Sequence, residues 1–153
     1  VRNEKEFITM HSGKIRPIVL CAVQNENSLL VYEGYDPKRE LTFYRFLGGG
    51  IEFGEHSREA AVREFKEELG VELIGLEFVG ALESIFRYKD EPGHELVFLY
   101  RATFADAEYY RKPRLEMNEN GELMYAQWKS LEDFRSGKAK LVPDGVLELL
   151  ELA

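Results

Sequence analysis

Glu64, Glu67 and Glu68 stand at i, i+3 and i+4, a spacing that puts three carboxylates on one face of a helix. Like charges so placed repel, by about 0.2–0.5 kcal/mol per pair on an isolated helix. Arg63 and Lys66 offset part of this, but neither stands at i+3 or i+4 from Glu64. Clustered hard oxygen ligands suit Mg²⁺ or Mn²⁺, and a divalent cation would turn the repulsion into coordination. A Glu-rich helix face alone is more often a solvated acidic surface. What tips the balance is Gly48-Gly49-Gly50 and then Gly54 in front of it. Glycines there permit a tight turn and let a carbonyl near Gly48 or Gly49 closely approach a metal or phosphate.

The elements that must hold these residues follow from pattern. Ser57 to Leu69 reads as a helix: Ser57 can cap it, Glu59 lies in its first turn and Gly70 suits the C′ position. Ala61, Phe65 and Leu69 form its buried stripe. Before it, the β-branched run Ile15–Val23, the turn residues Asn25-Glu26-Asn27 and Leu29–Tyr32 predict a hairpin. Tyr35 to Glu40, with Asp36-Pro37, reads as a loop, and Leu41 to Leu47 as a strand ending at the glycines. Strands are expected at Leu76–Tyr88, Glu95–Phe104 and Leu123–Trp128, and short helices at Leu131–Ser136 and Val146–Leu152. Strands joined mostly without intervening helices predict a mixed sheet, in an α+β fold or an α/β/α sandwich.

The 153 residues suit one domain, with no repeat or Pro/Ser-rich linker to divide them. Twenty basic against 28 acidic residues give a formal charge of −8, which opposes an extended nucleic-acid-binding surface. Segment 49–71 holds six Glu against Arg58, Arg63 and Lys66, so acidity concentrates where cations would reverse its sign. The lone Cys21 lies in an apolar run and reads as a small core residue without a disulfide partner. No apolar run is long enough to span a bilayer, and Val1–Glu6 has no signal-peptide form, so a cytoplasmic protein without membrane contact is expected.

Gly49, Glu55, Arg63, Glu64, Phe65, Glu67, Glu68, Gly70 and Val71 fill every specified position of a pattern that resembles the Nudix hydrolase signature. The match covers 23 residues, and the likeness in length and strand–helix order extends over nearly the whole chain. The resemblance implies a Nudix-type α/β/α sandwich with a mixed sheet and a loop-helix-loop catalytic box. It also implies hydrolysis of a nucleoside diphosphate linked to another moiety, with Mg²⁺ or Mn²⁺ as cofactor and a small nucleotide-type substrate as partner. Glu64, Glu67 and Glu68 would then hold the metal with the Gly48 carbonyl, and Glu64 would orient or deprotonate water. Arg63 and Glu55 would brace that arrangement, with Glu52 near the metals or the loop hinge. Many members carry Pro where this chain has Leu47, a change that removes a φ lock but no ligand. Many are dimers, so a homodimer is compatible with the resemblance. A catalytically silent nucleotide-binding module is the alternative, and such modules would be expected to lose these carboxylates.

Outside the box, His94-Glu95 after the turn Asp90–Gly93 suggests Glu95 as a base or metal ligand, weighed against an ordinary polar strand start. His94 is a candidate substrate contact, and Glu116, Glu119 and Glu122, in an acidic loop, are further candidate bases. Arg45 and Arg87 could contact phosphate through their planar guanidinium forks. Tyr88, 17 residues past the box, is similar to a mark of members acting on dinucleoside polyphosphates, where it would stack on a base. No Pro marks the ADP-ribose-type position. Trp128 and Phe134 read as packing between the last strand and the helix after it.

Overall fold

The computed structural model describes residues 12–153, so the Val1–Glu6 stretch read for a leader lies outside the described residues. Nine strands and three α-helices are present in this range: β1 (Arg16–Asn25), β2 (Ser28–Asp36), β3 (Leu41–Arg45), β4 (Leu47–Gly50), α1 (Ser57–Leu69), β5 (Leu73–Tyr88), β6 (Glu91–Phe104), β7 (Arg114–Glu119), β8 (Glu122–Ser130), α2 (Leu131–Arg135), β9 (Leu141–Val142) and α3 (Val146–Leu152).

Strand β1 organises the fold because Ile18–Val23 is apolar on both faces and buried throughout. It runs parallel to β6 and antiparallel to β4, and its last residues pair with β2. The expected mixed sheet is therefore present. Alternation along β1 sends Val19, Cys21 and Val23 into a core shared with Ala60, Ala61 and Phe65 of α1. Ile18, Leu20 and Ala22 point the other way, into a core with Leu131 and Phe134 of α2 and Val146 and Leu150 of α3. Helices thus cover both faces, and the architecture is the expected α/β/α sandwich. Burial pushes the Cys21 thiol up to about 12, as suits an inert packing residue.

Several local expectations are corrected. The glycines do not end a strand: Phe46 breaks the predicted 41–47 element in two, and Gly48–Gly50 continues as β4, registered against Ile18–Leu20. Glycine is needed there because a Cβ at Gly48 would lie 1.9 Å from the Val19 carbonyl oxygen. Ser57 is not the cap: His56 occupies that position without a side-chain cap bond, while the Ser57 hydroxyl is 2.7 Å from the Tyr100 hydroxyl. Gly70 does end α1 in the left-handed region (φ 68°), its N–H donating to the Lys66 carbonyl at 3.0 Å.

The loop predicted over Tyr35–Glu40 starts two residues later, at Pro37, since β2 reaches Asp36. The acidic loop containing Glu116, Glu119 and Glu122 is a hairpin of β7 and β8. Buried Leu115 and Met117 alternate with exposed Glu116 and Asn118, a period-two signal masked by the polar residues between them. His94-Glu95 does not open a strand, because β6 begins at Glu91, and the turn is Lys89-Asp90, both at positive φ. Trp128 packs on Tyr110 and Phe104 in the α1-side core, whereas Phe134 lies in the opposite one.

Candidate active site

The box residues assemble around one guanidinium. Arg63, on α1, donates from Nε to Glu55 Oε2 (2.7 Å) and from Nη2 to Glu55 Oε1 (2.9 Å), a bidentate fork. The same Nη2 donates to the Gly50 carbonyl at 3.0 Å, fastening β4 to the helix. Nη1 then reaches Glu64 Oε1 (3.0 Å) and Glu67 Oε2 (3.2 Å). Arg63 therefore partly neutralises the carboxylates whose repulsion the sequence raised, through Glu67 at i+4 and its own neighbour Glu64. Glu55 also accepts from the Glu52 N–H at 3.1 Å, closing the 52–55 turn, while the Glu52 side chain stays exposed.

Those hydrogen bonds from Arg63, with the Glu52 N–H adding to them against a smaller desolvation effect, lower the Glu55 carboxyl from 4.5 to about 2. Bonding to Glu55 is also the main reason the Arg63 guanidinium holds its proton more tightly than usual. A carboxyl depressed in the folded state stabilises above its unfolded pKa and loses that contribution as pH falls through the folded one. Acid titration should thus show stability falling between about pH 4.5 and 2, more steeply in the wild type than in Glu55→Gln. Equal slopes in urea melts across that window would contradict it.

Glycine shapes the seat of Glu64. A Cβ at Gly49 would come within 2.4 Å of Glu64 Cδ, so the carboxylate occupies the space that the missing side chain leaves. The donor set on offer is Glu64, Glu67, Glu68 and the Gly48 carbonyl, all oxygen, which by its chemistry fits Mg²⁺ or Mn²⁺. Among the described residues no three His, Cys, Asp or Glu side chains are already drawn together as a metal cluster. The Arg63 guanidinium lies between Glu64 and Glu67 instead.

On the other side of the glycines opens a cavity of about 310 Å³, bordered by Gly48 and Gly49. Arg45 and Glu95 both line it, bonded to each other at 3.0 Å, with Arg16 at 3.7 Å from the second Glu95 oxygen. Burial alone would lower the Arg45 pKa, but the charges of Glu95 and Tyr32 and the bond to Glu95 raise it overall. Glu95 lies within β6, 2% exposed, bound to cations. Tyr88 lines the cavity edge-on to Phe43 (6.0 Å between centroids), its hydroxyl donating to the Tyr35 carbonyl at 3.4 Å. Arg87 lines it too, donating to the Asp90 carbonyl at 2.7 Å.

Of the three hairpin carboxylates, Glu119 reaches this lining while Glu116 and Glu122 do not, and neither does His94. Arg16, Tyr32 and Phe43 were not singled out from sequence. The only hint for Arg16 is a cation directly before an apolar strand.

A mixed sheet between helices, with this box beside a cavity, defines a known class. The model of the NUDIX domain matches residues 14–150, and the chain belongs to the Nudix hydrolase family. It is 32% identical over 119 residues to the NAD-capped RNA hydrolase NudC of Pseudomonas aeruginosa (strain LESB58), covering 78% of this chain and 37% of that protein. With the NudC of Vibrio atlanticus (strain LGP32) it shares 30% identity over 73 residues, covering 48% of this chain and 26% of the relative. The chain thus aligns with well under half the length of these curated relatives. Its fold is similar to the crystal structure of a MutT NUDIX hydrolase from Burkholderia pseudomallei, with a TM-score of 0.64 at 19% identity, covering 90% and 97% of the two chains. No helix among the described residues is long and apolar enough to cross a membrane.

Proposed function

We propose that this chain hydrolyses the pyrophosphate linkage of a nucleoside diphosphate joined to another moiety, with Mg²⁺ or Mn²⁺ as cofactor. The observation that carries this reading is the seating of Glu64 against Gly49, beside a cavity large enough for a nucleotide portion. Glu64, Glu67, Glu68 and the Gly48 carbonyl hold the cation. When bound, it supplies neutralisation of phosphate charge and activation of a water molecule. Arg63 keeps Glu64 and Glu67 in place and ties Gly50 to the helix, while Glu55 fixes the orientation of Arg63. Glu64 orients the attacking water and takes its proton at Oε2, the oxygen that Arg63 does not engage.

Tyr88 and Phe43 offer aromatic surface to a base, and Arg45 and Arg87 offer cations to phosphate. The NudC relatives add NAD-capped RNA to the substrates worth trying, and NAD, the small molecule that forms its cap, is a natural companion to it. The charge of −8 favours the small molecule over a long RNA. A panel of dinucleoside polyphosphates, nucleotide sugars, ADP-ribose, NAD, NAD-capped RNA and nucleoside triphosphates, with products identified by mass spectrometry, tests the reading. Nucleoside monophosphate should be released with Mg²⁺ or Mn²⁺, and its release should stop with EDTA or in Glu68→Gln. Tight binding across the panel without any turnover would instead establish a silent nucleotide-binding module.

A further inference from the structure

Buried within β6, Glu95 holds two guanidiniums on one wall of the cavity. Arg45 contacts Oε1 and Arg16 approaches Oε2, so one carboxylate faces two guanidiniums beside the glycines, with Glu119 also acting on Arg45 from the cavity lining. Arg45 and Arg16 are themselves largely buried, at 20% and 16% side-chain exposure. The group is also tied to the box: Arg16 Nη2 lies 2.9 Å from where a Cβ on Gly50 would be, and Gly50 is the residue whose carbonyl Arg63 grips. Three strands contribute to the arrangement, β1, β3 and β6, so its geometry belongs to the sheet and not to a loop.

Glu95 has a guanidinium facing each of its two oxygens, whereas Glu64 keeps Oε2 away from Arg63, so Glu95 is the poorer place for a water to meet a carboxylate oxygen. It is well placed to orient those cations. We propose that Glu95 is a positioning residue that presents Arg45 and Arg16 to a phosphate group of the substrate entering the cavity. The inference rests on the pyrophosphate-linked substrate class given above. The wall is partly buried, and there a guanidinium–phosphate contact is stronger than in water. The cavity side of the glycines then reads phosphate through cations, while the helix side handles the reacting phosphate through carboxylates.

The test uses α,β-methylene-ADP, whose P–C–P link resists hydrolysis, as a calorimetric probe in Mg²⁺, alongside steady-state kinetics on whichever panel substrate turns over. Glu95→Gln and Arg45→Gln should each weaken probe binding by about tenfold and raise KM similarly, with kcat within about threefold. The double variant should bind no more weakly than Arg45→Gln alone, since both changes remove one unit. Arg45→Lys, which keeps the charge but not the fork, should fall in between and guards against misfolding of the Gln variants. A fall in kcat of about a hundredfold or more in Glu95→Gln, with the acidic limb of its pH–rate profile lost and probe binding unchanged, would make Glu95 the general base and overturn the proposal. Unchanged binding and kinetics with only a lowered melting temperature would reduce it to a structural ion pair and also overturn it. Should the wild type bind the probe through Glu95 and Arg45 yet hydrolyse nothing, the hydrolase reading fails and this one stands. Turnover without probe binding sinks this one alone.

Discussion

Glu64→Gln should lower pyrophosphate hydrolysis by about a thousandfold while leaving the thermal midpoint within a few degrees of wild type. The substitution is isosteric, so the side chain can still fill the space beside Gly49, and Phe65 next to it still packs into the α1-side core. What disappears is the negative charge, and with it the basicity needed to take a proton and the strength of an oxygen ligand. Arg63 keeps Glu55, Gly50 and Glu67 as acceptors, so it does not become an unpaired cation and the fold has little reason to weaken. Initial rates at saturating Mg²⁺ together with a melting curve check both halves. A loss smaller than about tenfold would remove Glu64 from the chemistry.

Gly49→Ala should also separate activity from stability. Its new Cβ would collide with the Glu64 carboxyl group, the far end of a flexible side chain that can swing away. Gly49 is not among the glycines with positive φ, so alanine meets no backbone strain there. Stability should fall by about 1 kcal/mol or less, whereas displacing Glu64 by an ångström or so should reduce the rate by about a hundredfold. Gly48→Ala is the contrasting control, because its Cβ would meet the Val19 backbone and cannot be accommodated by a rotamer change. That variant should lose several kcal/mol in urea unfolding, about the cost of overpacking a core. If Gly49→Ala retains full activity, the close approach of Glu64 to the glycines has no catalytic meaning.

The box was legible because its information is local. Glu64, Glu67 and Glu68 are bound by helix geometry whatever the rest of the chain does, and the glycines in front of them mark a close approach. Apolar runs fixed β1 and α1 in the same way, since a strand buried on both faces and a helix with a single stripe leave different patterns. The group around Glu95 was not legible as a group. Arg45 and Glu95 are separated by 50 residues, and only the parallel pairing of β1 with β6 brings Arg16 opposite Glu95. Arg45 and Glu95 could each be suspected of chemistry, but nothing in spacing says that they bind each other. The β7–β8 hairpin escaped for another reason: acidic and Asn/Gly residues dominate the segment, and two buried side chains in six are a thin signal.

Placing the glycines in a strand also has a kinetic consequence. Because β4 is laced to β1, and β1 to β6, the carbonyl offered by Gly48 hangs directly on the buried central strand. Breathing motions that fray hairpin tips or the ends of short helices leave that pairing closed. Half of this site is thereby anchored to the core and not to a mobile loop, so activity should persist on warming until β4 parts from β1.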